Sequence, residues 1–167
     1  MNTHFEITEL NRRLANMLRI GCIHSVNLKG VHPTCRVQIG SLLTGWLPMI
    51  TRRAGGDRDW WVYEEGEQVC VLSVSGDLAQ GVVLGAIHQR DYSAPADQSD
   101  VHRTVYADGA IVEYNRQLHK LTARLPEGGT TQLVSDGGVS IIGDVTVTGH
   151  ITASGDITDH TRSMQAD

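Results

Sequence analysis

Aromatic side chains are scarce in this 167-residue chain: one phenylalanine, three tryptophans and four tyrosines, with every tryptophan between Trp46 and Trp61. Packing built on rings is therefore local, and most of the chain must be held by aliphatic residues. Cysteine is sparse as well. Cys22, Cys35 and Cys70 fit no metal-ligand spacing and, being three, cannot all pair within the chain. Each lies in a strand-like run (GCIHSV, TCRVQI, QVCVLSV), which predicts buried free thiols. Positive charge is in deficit: 14 Lys and Arg against 19 Asp and Glu give a formal charge of −5, which argues against a general nucleic-acid binder. The tail is the most lopsided part, with five carboxylates against one cation, Arg162, in residues 128–167. No apolar run approaches the roughly 18 residues that span a bilayer. The opening MNTHFEITEL lacks the basic-then-apolar layout of a signal peptide, so synthesis in a cytoplasm is the expectation.

Signatures of catalysis are missing too. There is no Walker loop, GxSxG, HExxH, CxxC or DxDxDG. The eight histidines never fall as HxH or HxxxH, and scattered single histidines read as surface or satisfied residues rather than metal ligands. His150 and His160 differ only in that a threefold axis would turn one histidine per chain into three ligands, yet both share the outward, polar register. Glu64, Glu65 and Glu67 follow Trp60-Trp61. A hydrolase needs one carboxylate in an apolar setting and one solvated across a cleft, whereas neighbouring acids in a turn read as a solvated loop. The tryptophan pair could be a stacking platform; more often such a pair places one ring in the core and one at an interface. The chain is read as non-enzymatic and without a cofactor.

What the chain does have is rhythm. From Gly138 to His160 it keeps a six-residue beat (GVSII, GDVTVT, GHITAS, GDITDH) with glycine at 143, 149 and 155. Odd positions carry Val139, Ile141, Val145, Val147, Ile151, Ala153 and Ile157; even positions are polar except Ile142. Period two is the mark of an extended strand with one buried face, and glycine at every sixth place marks corners. With no aromatic residue to thicken a core, this apolar row needs a partner surface, and another copy of itself is the simplest one. Four hexads are too few for the solenoid of a hexapeptide-repeat acyltransferase, where each coil uses three and several coils stack. Three intertwined chains solve the problem: each hexad supplies one side of a triangular prism, and the seven odd positions line its axis.

Upstream, residues 1–19 read as an N-terminal helix. Thr3 and Glu6 have capping-box spacing, and Ile7, Leu10, Leu14, Met17 and Leu18 form one stripe opposite Arg12, Arg13 and Asn16. That stripe suits packing on the helix's own domain; docking onto another subunit is the sharper alternative. Residues 20–90 read as all-β, with candidate strands IGCIHSVNL, TCRVQIG, GWLPMIT, DWWVYE, EQVCVLSV and GVVLGAIH separated by turn dipeptides. Their number and spacing match an OB-like barrel. The Ala54–Asp59 loop reads as polar and mobile. Residues 91–104 have a linker's composition, and residues 105–167 form successive extended segments that simplify into the hexads.

Together these residues resemble the phage baseplate assembly protein V family, the central tail spike of P2-like contractile phages and R-type pyocins. The resemblance rests on ELNRRLANMLRIGCI, the barrel-closing GEQVCVLSVSGDLAQGVVLGAI, then YADGAIVEYN, HKLTARLPEGG and DGGVSIIGDVTVTGHITASGDI. It implies a mainly β homotrimer with an OB-fold-like barrel and a C-terminal triple-stranded intertwined β-helix. It also implies a place in the virion tail baseplate, with the barrels under the hub protein and the needle driven mechanically through the host outer membrane. The related spikes of type VI secretion systems share this architecture. Larger relatives carry a lysozyme domain between barrel and needle, and the 91–104 linker is too short for one. Family spikes usually end in an apex whose HxH pairs bind iron; this chain ends TDHTRSMQAD without HxH. The expectation is therefore no iron site here, with the apex missing or supplied by a separate tip protein. An OB-type single-strand binder would need a basic, aromatic groove, which the acidic balance disfavours.

Overall fold

A computed structural model of the chain describes residues 3–155 and 157. It divides into two units, Met1–Pro126 and Glu127–Asp167. Helix α1 (Thr3–Met17) runs directly into strand β1 (Leu18–Asn27). Within the helix, Glu9 accepts hydrogen bonds from Arg12 at 2.8 Å and Arg13 at 2.7 Å, pairs that meet because residues three and four apart share a face. The Thr3 side chain of the expected capping box lies outside the described residues.

Alternation builds the barrel. Strands β2 (Thr34–Ile39) and β5 (Gln68–Ser73) each bury every second residue, so Cys35, Val37 and Ile39 face Val69 and Val71 across the interior. The sheet runs β3 (Leu42–Leu43), β2, β1, β5, β6 (Gly81–Ile87), and β4 (Leu47–Pro48) also pairs with β2. A parallel bridge between Met49 and Val83, with the Ile50 amide donating to the Val83 carbonyl at 2.9 Å, closes the circle from β4 to β6. Closure removes the free edges that an open sheet would leave. Ile23, Leu47 and Val83 complete the core. Gly21 is required by close approach: a Cβ there would lie 2.5 Å from the Gln38 carbonyl oxygen. Buried Thr44 acts as a polar clasp. Its hydroxyl accepts from the Val37 amide at 2.9 Å and donates to the Gly45 carbonyl at 2.8 Å, where β3 gives way to β4.

Two candidate strands and the expected split of the tryptophan pair are overturned. GWLPMIT is a strand only over Leu47–Pro48, because Pro48 offers no amide to a ladder. DWWVYE forms no strand, so no alternation sorts its rings, and Trp60 (67% exposed) and Trp61 (65%) both face outward instead of one entering the core. The Ala54–Asp59 loop is polar and exposed throughout, as expected, and carries an Ala54–Arg58 bridge and an Arg53–Asp57 ion pair at 2.9 Å.

A second antiparallel sheet follows, β7 (Val101–Val105), β8 (Ile111–Asn115) and β9 (Lys120–Arg124), in that order. Strand β7 begins inside the stretch expected as linker. Arg103 and Glu113, directly opposite each other, form an ion pair across β7 and β8. Asp108-Gly109 makes the turn, with Gly109 at φ 88 and the Asp108 carboxylate accepting from the Ala110 amide.

The second unit carries no helix or strand among its described residues. No residue from 127 to 155, nor residue 157, joins a strand ladder within the chain. Gly143 and Gly149 adopt φ 130 and 134, a region closed to side chains, whereas Gly155 does not.

Two substitutions test the barrel. Leu47→Ala, at a fully buried site, is expected to cost about 2–5 kcal/mol. Thr44→Val leaves the Val37 amide buried without its acceptor and is expected to cost about 1–3 kcal/mol. Urea unfolding followed by tryptophan fluorescence measures both; a loss below a few tenths for Thr44→Val would show that the clasp contributes nothing to the barrel.

Candidate functional site

Three surfaces carry residues that the chain itself leaves uncovered. The first is the hexad row. Val139, Ile141, Val145, Val147, Ile151, Ala153 and Ile157 are all exposed in the single chain, as is Ile142, which stands in the polar register at 99%. Hydrogen bonds seen in this unit lie in the turn at Ser135–Gly138. Both the backbone and the apolar row therefore lack partners among the described residues. His160 and the TDHTRSMQAD end lie outside the described residues.

The second surface corrects the expectation for α1. Its apolar stripe does not pack on its own domain: Ile7, Leu10, Leu14 and Met17 are exposed, Leu14 at 69%. Glu9 and Asn16, on the polar side, are the half-covered positions. The cause is the turn between β5 and β6. Gly76, at φ 73, lies directly against the backbone of Arg13, so close that a Cβ would collide with the Arg13 carbonyl. That turn presents backbone polar groups and Asp77, which suit Arg12, Arg13 and Asn16 around a shared cleft of about 480 Å³. The stripe continues into Leu18 and Ile20, which share the outer face of β1 with Cys22 and lie beside Leu72 and Cys70 of β5. Two of the three cysteines, Cys22 and Cys70, are thus half-buried on this outer face. Only Cys35 has the inward parity, and burial pushes its thiol up to about 11.

The third surface was not legible as a site in the sequence. A groove of about 1020 Å³ runs between the Trp61–Gln68 segment, the end of β6, the 92–95 segment and the end of β7 with the turn that follows it. Trp61 and Tyr106 meet at 5.4 Å between ring centroids, and Tyr92 lies against Gly66. Gln89 fixes the wall, its side-chain amide donating to the Gly66 carbonyl at 2.7 Å and its backbone amide to the Tyr92 carbonyl. The Glu64–Glu67 turn is solvated as expected, and Glu67 accepts from the Glu64 amide at 2.5 Å. Burial first, then the Glu67 charge, raises the Tyr63 phenol. The tyrosines at 92 and 106 were the available signal, but one fell in an apparent linker. Among the described residues no three His, Cys, Asp or Glu side chains converge as a metal site.

Titration and thiol labelling probe these surfaces directly. Hydrogen bonds from Arg12 and then Arg13 hold the Glu9 carboxyl down to about 2 from 4.5. A depressed carboxylate contributes stability above its unfolded value and loses it as pH falls through the folded one. Carboxyl NMR should therefore show Glu9 titrating near 2, with the small benefit of this solvent-screened pair fading between pH 4.5 and 2. In maleimide labelling read by mass spectrometry, Cys35 should stay unmodified until the barrel unfolds, while Cys22 and Cys70 react earlier.

Comparison with known proteins supplies the lineage. A family model described as the type VI secretion system/phage-baseplate injector OB domain matches residues 19–88. Those bounds enclose nearly all of β1 through β6. The chain is also 41% identical over 122 residues to the spike protein of Escherichia phage P2. The match covers 73% of this chain and 57% of the P2 protein, so the chain spans a little over half the length of that relative. An OB barrel opening on a helix, followed by an antiparallel sheet and a glycine-paced tail, and related at this level across most of its length, belongs to the phage baseplate assembly protein V family of spike proteins.

Proposed function

We propose that three copies of this chain form the central spike of a contractile tail baseplate, with the work being mechanical rather than catalytic. The observation that carries this reading is the exposed hexad row. Seven odd-position residues, from Val139 to Ile157, project apolar surface that their own chain does not cover. Three such rows facing a common axis bury one another, at about 1.5–3 kcal/mol for each large aliphatic side chain. Glycines at 143 and 149 permit the corner that each hexad needs, and ladders between chains supply the hydrogen bonds that the single chain lacks. Thr146, Thr148, His150 and Thr152 then face water and keep the needle soluble.

In this assembly the barrels sit under the hub at the end of the tail tube, and α1 offers its outward stripe to a neighbouring subunit or the hub. The needle meets the host outer membrane when the sheath contracts. Such a device has no use for a nucleophile or a cofactor.

The test is solution mass by light scattering. The full chain is expected to be a trimer that survives dilution, and a chain stopped after Glu127 is expected to be monomeric. In the full chain, Ile151→Asp should dissociate the trimer while Thr152→Asp, one register over, leaves it intact. A monomeric full chain, or equal effects of the two substitutions, would end the spike reading.

A further inference from the structure

The 51–59 hairpin and the aromatic groove have opposite characters. Every residue of the hairpin is exposed, yet it is ordered by its own bonds: the Gly55 amide to the Asp57 carbonyl, the Asp59 amide to the Arg53 carbonyl, and the Arg53–Asp57 pair. Arg53 is thereby neutralised. Arg52 and Arg58 have no ion-pair partner among the described residues, and the hairpin holds them out in water. The groove has the complementary chemistry. Trp61, Tyr92 and Tyr106 line it, the Trp61 and Tyr106 rings tilted against each other, and Glu64 and Glu67 stand at its side, neither paired with a cation among the described residues. A guanidinium stacks on aromatic faces and binds carboxylates in a fork, so an arginine fits this combination better than a lysine does.

We infer that Arg58, with Arg52 beside it, docks into the Trp61–Tyr106 groove of a neighbouring copy of this chain, against Glu64 and Glu67. This inference rests on the trimeric spike proposed above. A contact between two different patches is head-to-tail, and around a threefold axis it closes into a ring. It gives the barrels a polar, orientation-setting joint of their own, separate from the apolar packing of the needle. Opposite charges at such a joint set register more than they add affinity.

The experiment uses the full chain with Cys22→Ser and Cys70→Ser, leaving Cys35, which is fully buried. Arg58→Cys and Glu64→Cys are introduced together, and a short bis-maleimide is added. The expected result is covalent dimers and trimers on a denaturing gel, with each single-cysteine chain remaining at monomer mass. If the unsubstituted chain is a trimer by light scattering but the linked product stays at monomer mass, the hairpin serves its own groove. The inference then falls and the spike reading stands. Linking by either single-cysteine chain would overturn the head-to-tail pairing. A monomeric unsubstituted chain would overturn both readings. Should the cysteine chain fail to fold, charge reversal probes the same joint. Arg58→Glu and Glu64→Arg should each speed trimer dissociation several-fold at low salt, and the double substitution should restore the slower rate. Losses that simply add would sink the joint.

Discussion

Backbone amides and carbonyls need partners, and an apolar row needs cover; among the described residues from 127 to 157 only the Ser135–Gly138 turn finds backbone partners in its own chain, and the apolar row finds no cover. The barrel is self-sufficient: its core of Ile23, Cys35, Val37, Ile39, Leu47, Val69, Val71 and Val83 is enclosed, and its sheet is closed by the Met49–Val83 bridge. The tail has a pattern without a core. In the proposed spike these two halves follow different thermodynamics, since the barrel's stability belongs to one chain whereas the needle's depends on chain concentration.

The barrel also shows how a short polar contact can override a longer apolar one. Helix α1 has a stripe long enough to cover a sheet, yet the turn at Gly76 accepts the helix backbone at Arg13 so closely that the polar side is the one that fits. A single residue without a side chain decides which face is turned outward. The result is a continuous apolar strip from α1 onto β1, available to whatever lies beyond.

Much of this was legible in the sequence because alternation is a direct readout of parity. The buried positions of β2 and β5 could be counted off TCRVQI and QVCVLS, and the apolar row of the hexads likewise. Parity does not say which side is inside, however. Cys22 and Cys70 look like Cys35 in their runs, but ladder registry turns them outward. Periodicity likewise gave the stripe of α1 but not its direction, which depends on Gly76, some sixty residues away along the chain. The Trp60-Trp61 pair misled for a related reason: β-forming residues were present, but no neighbouring strand was available to recruit them. The aromatic groove was hidden because its walls come from three separated segments, one of them read as linker. Proximity of that kind is a property of topology, not of spacing.

One further consequence concerns force. Helix α1 passes into β1 without an intervening residue, and β1 is the strand with β2 on one side and β5 on the other. A pull or push delivered through the helix therefore enters the sheet along the axis of a central strand. Such loading is shear, in which both flanking ladders resist together, rather than peeling, in which bonds open one at a time. A thrust arriving at the N-terminus would thus be spread over the whole barrel before any single hydrogen bond had to bear it.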